Sequence, residues 1–272
     1  LNYELKELFL LGKNLLNSKI ESEIIIRDSL NISKEKFHLS LNNKINLKSY
    51  KEIIEKFNLR KSGYPLSYIT NKKYFLDYEF MVNKNVFIPR FETEEIVNNI
   101  IKKFNKFSNA LDICCGTGVI GISLILYNLV DKCTFVDISE NALNNTYLNL
   151  RKFNIDKNRY EIIKSNMFDN VKSEYDLIIS NPPYIKESEY INLPEDVKME
   201  PKEALISGID GLKHINILIN ESKNFLKKKG ILVFEFEKEN FEIFKEKLNN
   251  YKILEIIKTY SDNIEGIIVE KL

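Results

Sequence analysis

Apolar positions recur with two different periods along the chain, and the period changes once. Leu5, Leu8, Phe9, Leu15 and Leu16, and later Leu47, Tyr50, Ile54 and Phe57, follow the spacing of a buried helix face. An apolar segment near residues 22–30 predicts a further short helix between them. Gly63 stands just past the last periodic stretch, where a helix C-cap belongs. Residues 1–62 therefore read as a small helical bundle, "GYPLSYIT" (63–70) as a turn-rich connector, and the alternating residues 74–88 as a β-hairpin.

From about residue 92 strand and helix patterns alternate. Helices are expected over 93–106, 118–128, 139–153, 211–228 and 238–249. Strands are expected over 110–114, 132–137, 160–164, 175–180 and 231–236, with two last ones near 252–258 and 264–270. That order predicts an α/β fold, a mostly parallel, doubly wound sheet of the Rossmann-like kind. The expected organisation is a helical domain over 1–73, a hairpin linker over 74–88 and a catalytic domain over 89–272. Ligands of such sheets sit beyond the carboxyl ends of the strands. "DICCGTG" (112–118) and "NPPY" (181–184) both fall at strand ends, so they should meet in one cleft.

Charge sharpens the division. Over the 272 residues the formal balance is +1, yet residues 1–73 carry 14 Lys and Arg against 8 Asp and Glu, and the remainder 26 against 31. A basic front fits an acidic partner or RNA, and fits a solvated lysine-rich surface equally well. The three cysteines, Cys114, Cys115 and Cys133, are odd in number and lack metal-ligand spacing, so neither a disulfide framework nor a metal site is expected. No apolar run reaches membrane length, and the N-terminus lacks a secretory signal. A bacterial cytoplasm is expected, or an organellar matrix if a targeting segment has been removed. His38 and His214, the two histidines, stand in no nucleophilic pattern.

Gly116-Thr117-Gly118-Val119-Ile120-Gly121 matches G-x-G-x-x-G between a strand and a helix, and Asp137 ends the next strand. Alone this is a dinucleotide fingerprint, with the acid on ribose hydroxyls. Asp112, just before the loop, argues otherwise: its carboxylate would repel a pyrophosphate and suit an ammonium group. Nothing later suggests hydride transfer. S-adenosylmethionine (SAM) answers both acids, since it has a ribose and an amino acid group but no phosphate.

The second strand end, Asn181-Pro182-Pro183-Tyr184, offers what methyl transfer to a planar NH2 group needs. Such a nitrogen is a poor nucleophile because its lone pair is delocalised. The Asn181 side-chain oxygen and the Pro182 carbonyl can accept its two N–H bonds, orient it and stabilise the developing positive charge. Tyr184 supplies a flat wall.

With both acids, the glycine loop and NPPY in order, the chain resembles the glutamine-N5 methyltransferases of peptide chain release factors, the PrmC/HemK family. The resemblance rests on "GYPLSYIT", "VFIPRFETEEIV" (86–97), "LDICCGTGVIG" (111–121), "FVDISENAL" (135–143), "DLIISNPPYI" (176–185) and "EPKEALISGIDGL" (200–212). It implies the glutamine of a Gly-Gly-Gln loop as acceptor and a monomer whose N-terminal helices help dock the release factor. It implies SAM contacts from Cys114, Cys115, Gly116, Thr117 and Gly118, from Asp137 and Ile138, from Asn166 and Met167, and from Asn181. Asn181, Pro182, Pro183 and Tyr184 would grip the substrate. Departures from the family pattern are Cys114 for a glycine, Asn166 for an aspartate, Phe91 for a proline, the missing glycine in "FEFEKEN" (234–240) and a shortened final hairpin, "SDNIEGI". A nucleic-acid N-methyltransferase acting on an exocyclic amine is the main rival reading. The negative balance of the catalytic half opposes it. A silent scaffold would have lost Asn181 or the acids.

Overall fold

The computed structural model describes residues 3–261 and 263–272. Asp262, in the final turn singled out above, lies outside them. Contacts divide the chain into Leu1–Lys72 with Pro194–Met199, and Lys73–Leu193 with Glu200–Leu272.

The first unit is helical: α1 (Leu5–Leu16), α2 (Lys19–Leu30), α3 (Lys34–Leu39), α4 (Leu47–Lys61) and α5 (Leu66–Thr70), with two-residue strands β1 (Tyr3–Glu4) and β2 (Lys44–Ile45) pairing antiparallel. Side chains of Ser18, Ser33 and Asn46 accept N–H groups that the first turns of α2, α3 and α4 leave free. Leu5, Leu8, Ile25, Ile26, Phe37, Ile53 and Phe57 close the core. Gly63, at φ +91°, takes the left-handed turn that ends α4. The connector at 63–70 is more ordered than expected, because α5 occupies its second half. The six-residue α3 is too short to show a period.

The unit boundary falls within the first strand of a hairpin, β3 (Lys72–Phe75) and β4 (Tyr78–Met81), shorter than the expected 74–88. An irregular stretch then leads to α6 (Phe91–Lys103). Next come β5 (Phe107–Ile113), α7 (Val119–Leu126), β6 (Val130–Asp137), α8 (Glu140–Lys152), β7 (Tyr160–Lys164) and β8 (Tyr175–Ser180). After the one-turn α9 (Glu195–Lys198), which belongs to the first unit, follow α10 (Lys213–Phe225), β9 (Leu226–Glu237), α11 (Phe241–Phe244), β10 (Tyr251–Lys258) and β11 (Ile264–Lys271). The helix expected over 238–249 contracts to α11 between two 3₁₀ turns.

The seven strands lie in the order β10-β11-β9-β8-β5-β6-β7. β11 is antiparallel to both neighbours, and the other pairings are parallel. Strand succession runs outward from β5 to β7 and resumes on β5's other side at β8, so the topological switch point lies between β5 and β8. The register pairs Ile113 with Ser180, whose hydroxyl donates to the Ile113 carbonyl at 2.8 Å. The glycine loop and NPPY thus leave the sheet side by side.

Candidate active site

A cavity of about 270 Å³ opens at this switch point. Its walls include Ile113, Cys114 and Gly116 after β5, Asp137, Ile138 and Ser139 after β6, Asn166 and Met167 after β7, and Asn181 and Pro183 after β8. Four strand ends therefore contribute to one site, as the parallel topology requires.

The glycine loop is shaped by left-handed backbone. Gly116 has φ +55° and Gly118 φ +76°. A Cβ on Gly118 would lie 2.8 Å from Thr146 Cγ2, so α8 also forbids a side chain there. Gly121 lets α7 press on the sheet, since a Cβ there would meet Phe135 at 2.5 Å. Cys114 is itself left-handed, at φ +58°, a conformation that costs a residue with a Cβ about 1–2 kcal/mol. Its Sγ lies 3.7 Å from Met167 Sδ, two polarizable atoms in contact on the cavity wall.

Asp137 organises the glycine loop and the turn after β6. Its Oδ2 accepts from Gly116 N–H and its Oδ1 from Ser139 N–H, both at 2.9 Å. Burial raises its pKa, and the backbone donors oppose that rise. Each oxygen keeps a lone pair for a vicinal diol. Asn166 donates from Nδ2 to Asp169 at 3.2 Å, which leaves its Oδ1 available as an acceptor. The site thus supplies a diol acceptor, an amine acceptor and apolar walls, a set that fits SAM.

Not every expected residue reaches the cavity. Asp112 is fully buried, its Oδ2 accepting Gly121 N–H at 2.9 Å. The expectation that it meets the ligand's ammonium is corrected: its side chain turns toward α7 and acts inside the loop. Cys115, Thr117 and Gly118 are also off the walls. Cys115 and Thr117 are buried, and the Cys115 and Thr117 segment is tied to α8 through Thr146 and Asn149. Pro182 and Tyr184 stand off this cavity as well, the Tyr184 hydroxyl donating to Glu235 at 3.0 Å.

Residues that the sequence alone did not assign to the site complete it. Asn85, Val86 and Phe87, with Pro201, Glu203, Ala204 and Ile206, form further walls, and Lys213 and His214 close them. Glu200, buried, accepts Ile88 N–H at 2.8 Å and pairs with Arg90, so the "IPR" and "EP" blocks are clasped together. Thr93 and Glu235, both buried, lie behind Asn181. Glu235 had a visible signal: it is an acid within the apolar run Ile231–Phe236. Nothing in the spacing of Thr93 could have revealed it.

Comparison with known proteins gives the same assignment. The Methyltransferase small domain family matches residues 80–208. A release factor glutamine methyltransferase of Borreliella burgdorferi is 35% identical over 82% of this chain and 78% of its own. One of Buchnera aphidicola is 33% identical over 97% of this chain and 96% of its own. In three dimensions, the Thermus thermophilus 16S rRNA N2 G1207 methyltransferase, solved with AdoMet and guanosine, matches with a TM-score of 0.51. It is 12% identical, over 74% of this chain and 50% of that one, and shares the fold. With relatives of this identity aligned over most of both chains, the chain belongs to the release factor glutamine methyltransferase family.

Proposed function

We propose that this protein methylates the side-chain amide nitrogen of the glutamine in the Gly-Gly-Gln loop of a peptide chain release factor. One observation carries the chemistry. Asn181, on the cavity wall, has its NH2 bonded to Thr93 at 2.8 Å, and among the described residues nothing donates to its Oδ1. That oxygen is an acceptor held at the mouth of the SAM site. The family relationship selects glutamine over a nucleobase.

When bound, SAM supplies an electrophilic methyl on a sulfonium sulfur. Asp137 takes the ribose hydroxyls, Asn166 Oδ1 the adenine amine, and the walls from Ile138 and Met167 exclude water from the adenosine. Asn181 Oδ1 and the Pro182 carbonyl accept the two amide N–H bonds of the substrate glutamine. This holds its nitrogen toward the methyl and stabilises the charge that grows on it. The extra proton passes to solvent after transfer, so the site needs no strong base. Tyr184 flanks the planar amide, and the N-terminal helices help dock the release factor.

The test is methyl transfer from labelled SAM to a purified release factor, to the same factor with its loop glutamine changed, and to DNA. Label on the unaltered factor alone is expected. Label on DNA alone would replace this reading with the nucleic-acid one.

A further inference from the structure

Asn181 ends a chain of hydrogen bonds that leads away from the cavity. Its Nδ2 donates to Thr93 Oγ1 at 2.8 Å, and Thr93 Oγ1 donates to Glu235 Oε2 at 2.6 Å. The Tyr184 hydroxyl donates to the other carboxylate oxygen, Oε1, at 3.0 Å. Three separate elements supply the members: the first turn of α6, the end of β9 and the segment after β8. Thr93 is 4% and Glu235 1% exposed, so water does not compete for these bonds.

The far end dictates the direction of the chain. An ionised carboxylate can only accept. Thr93 must therefore give its single O–H to Glu235, and what it offers Asn181 is a lone pair. Asn181 has then one satisfied orientation, NH2 toward Thr93 and oxygen toward the substrate. Flipped, its oxygen would face a hydroxyl with no hydrogen left to give, and its NH2 would confront the NH2 of the substrate.

We propose that Thr93, anchored on Glu235, is the positioning residue that fixes the amide face of Asn181 and so makes Asn181 an acceptor for the substrate nitrogen. This rests on the reading of Asn181 given above. The groups around Glu235 are Arg90, which favours its charge, Glu92, which opposes it, and the hydroxyls of Thr93 and Tyr184. Burial outweighs them and pushes Glu235 up to about 7. Once protonated, Glu235 can donate to Thr93, and the chain loses its fixed direction. Turnover should therefore rise as pH passes upward through about 7.

The variants are T93V, which keeps the shape and removes the hydroxyl, T93S, which restores it, and E235Q, which cannot ionise. With the full chain and release factor, T93V should lower kcat about 10- to 100-fold and leave the SAM Kd unchanged. T93S should return kcat to within a few-fold of wild type. E235Q should flatten the rise of kcat with pH. Equal kcat in T93V, a T93S as slow as T93V, or a wild-type pH profile in E235Q would each overturn the proposal. If T93V does not fold, the E235Q profile decides. A readout without substrate separates this inference from the assigned activity: in 15N spectra the Asn181 side-chain NH2 should resist hydrogen exchange in wild type and lose that protection in E235Q. Rapid exchange in wild type would sink the inference whatever protein is methylated.

Discussion

The carboxylate of Asp112 accepts the backbone N–H of Gly121 at 2.9 Å, inside the protein and away from the cavity. It ties the end of β5 to the first turn of α7 and so braces the loop between them. The bond has a cost. Asp112 Oδ1 has no partner among the described residues, and burial pushes the group up to about 7 from 3.8. Between those values the unfolded chain has already released a proton that the folded chain holds. Stability therefore falls as pH rises through this window and stays lower above it. Asp112→Asn is neutral and nearly isosteric, so it should remove that slope. We expect the variant to match or exceed wild type at pH 8, by on the order of 2–4 kcal/mol at most, with the gap shrinking toward pH 4. Urea unfolding at both pH values checks this; a variant much weaker than wild type at pH 8 would contradict it.

Asn181→Ala removes the proposed acceptor and leaves untouched Asp137 and Asn166, the residues proposed to hold ribose and adenine. Turnover should drop by about 10²–10³, the cost of losing one preorganised polar contact to developing charge. SAM affinity should stay within several-fold of normal. Single-turnover rates and calorimetric SAM binding together make the check, and normal turnover would remove NPPY from the chemistry.

The two strand-end motifs were legible because each is contiguous. A glycine loop at fixed spacing and four consecutive residues after a strand carry their geometry in their own backbone. The sheet was legible for a similar reason: apolar strand runs alternate with helix periods, and the parallel order follows. Asp112 was misplaced because position beside the loop does not say which way a side chain turns. That direction is set by α7 packing back on the sheet, which brings Gly121 N–H over the carboxylate. Thr93 and Glu235 were missed for a stronger reason. They lie 142 residues apart, and their bond exists only once α6 and β9 meet. The short α3 escaped because one turn or so cannot display a 3.6-residue period, and the helix expected over 238–249 overran the one-turn α11.

Asp137 carries two tasks, so its loss should be felt in two measurements. It would hold the ribose diol, and it accepts Gly116 N–H and Ser139 N–H at 2.9 Å each. Asp137→Ala should weaken SAM binding by roughly 10- to 100-fold, the range for a lost charge-assisted hydrogen bond. Asp137→Asn should fall between, since its amide oxygen can accept one of the bonds. Unchanged SAM affinity in Asp137→Ala would contradict the ribose assignment.

Gly211 links the "DGL" block to NPPY through absence of a side chain. It sits at φ +75°, and a Cβ there would stand 2.4 Å from the Tyr184 carbonyl oxygen and 3.3 Å from Lys186 Cγ. The backbone around it is already zipped: Ile185 N–H donates to Leu205 at 3.0 Å, and Ser207 N–H to Ile185 at 2.9 Å. Neither strand of this contact can yield alone, so an added methyl must move Tyr184 or the 208–211 turn. Moving Tyr184 pulls its hydroxyl from Glu235, and with it the support behind Asn181. Gly211→Ala should therefore lower kcat by about tenfold or more, because small misplacements of positioning groups cost that much. SAM affinity should hold, since Gly211 is not on the cavity wall. Stability should also fall by about 1–2 kcal/mol from the left-handed backbone alone. Steady-state kinetics, SAM calorimetry and thermal unfolding separate the three effects. Full turnover in a destabilised variant would show that the turn strains the fold without steering the substrate segment.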